Sequence, residues 1–196
     1  DGRNGSDSLG HDANWVGGTA PTFDNSLAVV LPGDDTPGDM SNLQTGGDRT
    51  FRSLIFSTYA DTDINLRLQD GSGNGDVLTF DTALAGGRAE IAVHHDATAN
   101  INIGGGASTG SVVLADPLLV AHDGSGRLTI SRPIHGPHSV TKTGTGTLRL
   151  SGDDHYSGTT TVDGGTLELH NATGSPNHYR GGRIRRRNGD QSPGPS

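Results

Sequence analysis

Three stretches of the chain repeat one phrase at nearly constant spacing: HDGSGRLTI at 122–130, KTGTGTLRL at 142–150 and VDGGTLEL at 162–169. Leu128, Leu148 and Leu167 mark the period, 20 and then 19 residues. Self-similarity at that length suits a solenoid, because each coil must lay its residues over the equivalent residues of the coil before it. Within the phrase the glycines permit a tight or left-handed turn, and the x-L-x-L that follows sends alternate side chains to one face. Leu128 and Ile130, Leu148 and Leu150, and Leu167 and Leu169 therefore point inward, with Thr129, Arg149 and Glu168 facing solvent. Val140 and Val162 are expected at a second inner corner, and DGSGNGDVLTF at 70–80 reads as a looser copy of the phrase.

Upstream, short apolar runs recur between Gly, Asp and Asn: SLIF at 53, NLRL at 65, VLTF at 77, EIAV at 90, NINI at 100, SVVL at 111 and LLVA at 118. Strands this short, bounded by turn formers and without a sustained helical period, give an all-β chain. With 32 Gly, 30% hydrophobic and 4% aromatic residues there is little material for a thick core, yet clustering of the apolar residues into runs argues against disorder. The absence of cysteine removes disulfides and thiolate metal sites together. No run approaches the roughly 20 apolar residues of a membrane span, and the chain opens at Asp1 with no hydrophobic signal core. The expectation is a mature, processed, soluble and secreted chain.

Residues 142–174, KTGTGTLRLSGDDHYSGTTTVDGGTLELHNATG, closely resemble the autotransporter-associated β-strand repeat, which runs roughly K-x-G-x-G-T-L-x-L-S-G-x-N-x-Y-x-G-x-T-x-V-x-x-G-T-L-x-L. The likeness holds at Lys142, Gly144, Gly146, Thr147, Leu148, Leu150, Ser151, Gly152, Tyr156, Gly158, Thr160, Val162, Gly165, Thr166, Leu167 and Leu169, with Asp154 in place of the usual Asn. It covers about a sixth of the chain. The resemblance implies a right-handed parallel β-helix (solenoid) in a secreted, passenger-type protein. The segment NWVGGTAPTFDNSLAVV at 14–30 is similar to the start of secreted proteins with such repeats, and is expected to cap the first coil with Trp15 and Phe23 as its plug. The expected organisation is a cap and first strands over 1–50, β-helix repeats over 51–174 and an extended basic tail over 175–196.

Charge is divided unevenly. Residues 176–196 hold Arg180, Arg183, Arg185, Arg186 and Arg187 against Asp190, a local balance of +4, so that the remainder carries −12 of the formal net −8. An acidic body with a basic end attracts a second copy of itself, an attraction that weakens with salt. These five arginines, with Trp15 and Phe23, are the candidate assembly residues, and the expected partner is the chain itself in a head-to-tail homopolymer. Nucleic acid is disfavoured because stacking aromatics are scarce and the whole chain is acidic.

No catalytic, cofactor or metal residues are expected. His94, His95 and Asp96 are adjacent, and neighbours on a strand face opposite sides and do not chelate together, so they are expected as surface or turn residues. His135 and His138 flank a Gly-Pro turn with no Glu nearby. Asp70, Ser72, Asn74, Gly75, Val77 and Asp81 imitate a calcium loop, but the flanks read as strands and the glycine-rich phrase recurs elsewhere without the carboxylates. Asp153 with Asp154, Asp34 with Asp35 and Asp61 with Asp63 sit in turn-like contexts without the long loops and aromatic platforms of a sugar cleft. Two sequons occur, at Asn4 and Asn171. The reading is a non-enzymatic, extracellular or bacterial-surface structural protein, a subunit of a self-assembling fibre. The alternatives are an adhesin-like fragment that binds glycans or extracellular polysaccharide of a biofilm, and a polysaccharide-active enzyme.

Overall fold

The computed structural model describes residues 9–10, 19–31, 43–57, 63–69, 74–105, 109–170 and 179–187. Among them there is no helix. The first coil carries β1 (Ala28–Leu31), β2 (Leu43–Gln44) and β3 (Arg49–Phe51). The second has β4 (Ser53–Phe56), β5 (Ile64–Arg67) and β6 (Val77–Phe80), and the third β7 (Ala89–Val93), β8 (Ile101–Ile103) and β9 (Ser111–Leu114). The fourth has β10 (Leu118–His122), β11 (Arg127–Ile130) and β12 (Ile134–Gly136), and the fifth β13 (Val140–Thr143), β14 (Thr147–Leu150) and β15 (His155–Tyr156). Next, β16 (Thr160–His170) and β17 (Tyr179–Arg187) each pass through two sides as one strand.

The strands stack in parallel on three sides. Side one is β1-β4-β7-β10-β13-β16, side two is β2-β5-β8-β11-β14-β16, and side three is β3-β6-β9-β12-β15, with β17 laid on β16. This is a parallel β-helix. From the second coil onward its coils shorten: on side one Ala28, Ser53, Glu90, Leu119, Thr141, Thr161 and Arg180 lie in register, successive advances of 25, 37, 29, 22, 20 and 19 residues. Strand length hardly changes from coil to coil, so the surplus in the early coils goes into their corners.

Burial alternates along each strand as the two-residue period requires. Leu128, Leu148 and Leu167 are in direct register and fully buried, as are Ile130, Leu150 and Leu169 above one another. Each such leucine contributes about 1.5–3 kcal/mol of burial, and the ladder between coils satisfies the backbone. Val140 and Val162 are buried on side one, although not in one column, since Val162 lies over Lys142.

The glycine-rich phrase is the corner between sides one and two. Gly144 and Gly165 have φ of 76° and 68°, and a Cβ on Gly165 would sit 2.3 Å from the Gly146 carbonyl oxygen, so only glycine fits. One expectation changes here: VLTF of the supposed looser copy is β6, which pairs with β3 and β9 on side three rather than with the leucine column on side two. A second concerns the tail, because 179–187, within the segment expected to be extended and outside any coil, forms a rung over β16. Trp15, Asp34, Asp35, Asp61, both sequon asparagines, and Asp70 and Ser72 of the calcium-like loop lie outside the described residues.

Candidate functional site

The arginines expected to mediate assembly stand on the last described rung. Arg183, Ile184, Arg185 and Arg186 are in register with Thr166, Leu167, Glu168 and Leu169, while Arg180 and Arg187 lie over Thr161 and His170. Ile184 continues the inner leucine column and packs on the core; Arg183 and Arg185 are exposed. Beneath them Glu168 already holds two cations, Arg149 Nη2 at 3.0 Å and Arg127 Nε at 3.5 Å. Such half-exposed pairs are worth about 0–1 kcal/mol each, so they set a charge pattern more than they stabilise the stack. Among the described residues β17 pairs with β16 only, leaving one long edge open.

At the opposite end Phe23 is half-buried against Phe51, ring centroids 5.9 Å apart at 57°. The Arg49 guanidinium lies 4.3 Å from the Phe23 ring centroid, in cation–π contact. The Leu9 N–H donates to the Gln44 carbonyl at 2.8 Å, covering part of β2.

Inside the lumen the repeat carries three polar groups that the sequence reading did not assign there. Lys142 is fully buried in the column Leu54–Ile91–Val120–Lys142–Val162. Its ammonium turns into the glycine corner and donates to the carbonyls of Thr143 and Gly144, the latter at 3.0 Å, with Gly164 and His122 at 3.4 and 3.5 Å. Burial lowers its pKa to about 8, opposed by the nearby Asp123 carboxylate. His122 lies one coil below, its Nε2 3.1 Å from the Gly126 carbonyl. Burial, and then the Lys142 charge, lower its pKa to about 4, so the ring is neutral at physiological pH. A lysine at this place therefore acts as an internal cap, supplying further donors to the carbonyls of the glycine corner.

Asp154, at the position where the resembled repeat has Asn, is also buried and accepts the Ile134 N–H at 3.0 Å. Burial raises its pKa to about 7. Asp153 points outward, with its carboxylate 3.3 Å from His155 Nε2, so the two acids do not face a common cleft. His135 and His155 stack in register, ring centroids 5.8 Å apart. His94, His95 and Asp96 do not continue β7: they form the turn after it and converge.

Residues 140–169, from the first residue of β13 into β16, match the family model described as the passenger-associated-transport-repeat. The chain carries a passenger-type repeat. This repeat is one full coil plus two sides of the next, with Lys142 and Asp154 inside it and the Leu148–Leu167 contact joining its halves. A repeat of this kind suggests a protein of the autotransporter passenger type, secreted or at the cell surface. No helix among the described residues is long and apolar enough to cross a membrane. Neither the curated proteins nor the solved structures yield a match to this chain.

Proposed function

We propose that this passenger-type chain is a structural subunit that assembles head to tail, the first coil of one copy stacking on β17 of the next to make a fibre. The observation that carries the reading is β17 itself: an edge strand that continues two sides of the stack, open among the described residues and studded with arginine. An open edge is a template for another strand, and the acidic remainder of a second copy supplies the opposite charge. Unlike ends that meet in this way propagate without closing, which gives a filament rather than a ring.

Negative-stain imaging of the intact chain and of a variant lacking residues 176–196 tests this. The intact chain is expected to form filaments that grow with concentration and recede at high salt, where the Debye length shrinks to about 3 Å; the truncated chain is expected to remain monomeric. Filaments unaltered by the truncation, or an intact chain that stays monomeric at every concentration, would refute it.

A further inference from the structure

Two imidazoles and a carboxylate converge at the edge of side one. The sequence argument that adjacent residues cannot chelate applies to a strand, but β7 ends at Val93 and the chain then turns, closed by the Ala97 N–H donating to the His94 carbonyl at 3.0 Å. The turn swings both rings to the same side, centroids 4.1 Å apart. Asp96 faces them: one carboxylate oxygen lies 3.2 Å from His95 Nε2 and the other 3.6 Å from His94 Nδ1. One ligand atom from each of the three residues falls within 4.8 Å of the other two.

We propose that His94, His95 and Asp96 form a surface site for a divalent cation of the zinc class, bound with an open coordination position. Zinc held tetrahedrally at about 2.1 Å needs its ligand atoms roughly 3.4 Å apart. Side-chain rotation can close the 4.8 Å to that spacing, because the three side chains are 41%, 69% and 56% exposed. A metal there replaces the direct His–Asp96 approaches and the long 3.3 Å approach of the Asp96 N–H to His94 Nδ1. Two imidazole nitrogens with one carboxylate favour zinc, copper or nickel over calcium or magnesium, which select oxygen.

Three protein ligands leave a position for water or for a donor from another molecule. Next to the imidazoles runs a shallow groove on the outer face of side one, floored by the register column Ile55, Ala92 and Ala121 and bordered by Asp123. The small alanines make this depression, so the open position lies beside an apolar recess rather than on a bare convex surface.

The test is calorimetric titration of the intact, untagged chain with zinc chloride, with calcium chloride for comparison. His95→Ala and Asp96→Asn are the test variants. His155→Ala is the control, because His155 with Asp153 and the stacked His135 is a second exposed histidine–carboxylate pair. All three sites are exposed, and circular dichroism is the check that each variant keeps the β fold. One zinc per chain is expected, weakened about tenfold or more by each test variant, unchanged by His155→Ala, and with no calcium counterpart. Absence of zinc binding at millimolar concentration, an affinity in both test variants unchanged from the parent, or loss with His155→Ala instead would overturn the proposal.

Discussion

Replacing Asp154 by Asn should change how stability depends on pH, with a sign fixed by burial. In the folded chain the carboxyl is shut inside side three with the Ile134 N–H as its donor, and burial raises its pKa from 3.8 to about 7. Below 3.8 both folded and unfolded chains are protonated there and the group has no effect. Between 3.8 and about 7 the unfolded chain gives up the proton while the folded chain keeps it, so stability falls as pH rises and levels off above about 7. A shift of about three units at 1.36 kcal/mol each makes the total loss about 4 kcal/mol. Asn keeps an acceptor for the Ile134 N–H and cannot ionise. The variant should match the parent at the acid end and exceed it by up to that amount above pH 7. Urea unfolding of both proteins across this range measures it, and the difference between the two curves cancels every other titrating group. A difference that stays flat from 3.8 to 7, or that favours the parent at neutral pH, would show that Asp154 is solvated and that the lumen is not closed at this coil.

Two further outcomes follow from the interior. Lys142 has its pKa lowered from 10.5 to about 8, so the parent should gain stability as pH climbs through that interval. Lys142→Met should lose that gain in the same unfolding assay while removing the ammonium donor from the glycine corner; a parent curve flat over the interval would place the ammonium in water. Leu148→Ala, between Leu128 and Leu167 and fully buried, should cost about 2–5 kcal/mol. By contrast Arg149→Ala on the outer face should cost no more than about 1 kcal/mol, and equal costs in denaturant titration would contradict the inward assignment.

The late coils were readable because two periods coincide there: a coil repeat of 20 and 19 residues marked by corner glycines, and the strand alternation that follows each corner. The same alternation placed Lys142 two residues from inward Val140, His122 two from Val120, and Asp154 two from Tyr156. The signal for these groups was present, and polar character concealed it. Charge likewise masked β17. Gly181-Gly182-Arg183-Ile184-Arg185 repeats the form of Gly164-Gly165-Thr166-Leu167-Glu168, but its arginines give it the composition of a tail. The early coils gave no period, because advances of 25, 37 and 29 residues vary with corner length, and corners face solvent where packing sets no limit on them. This is also why VLTF at 77–80 fell on side three: a glycine-rich corner precedes strands on more than one side. The grouping at His94–Asp96 was hidden for a different reason: the EIAV run ends at Val93, but no period encodes that both rings and the carboxylate swing to one side of the turn after it.

In-register stacking can be tested directly because the chain has no cysteine of its own. Thr129 and Arg149 face outward on adjacent coils as register partners, and Glu168 is one coil further on. Neighbouring strands lie about 4.8 Å apart, within reach of a disulfide, whereas two coils span about 10 Å, which is beyond it. The Thr129→Cys, Arg149→Cys double variant should close a disulfide on mild oxidation while the Thr129→Cys, Glu168→Cys variant should not, as read by peptide mass mapping. Failure of the first pair to close, or closure of the second, would contradict a stack in which each coil lies directly on the one before.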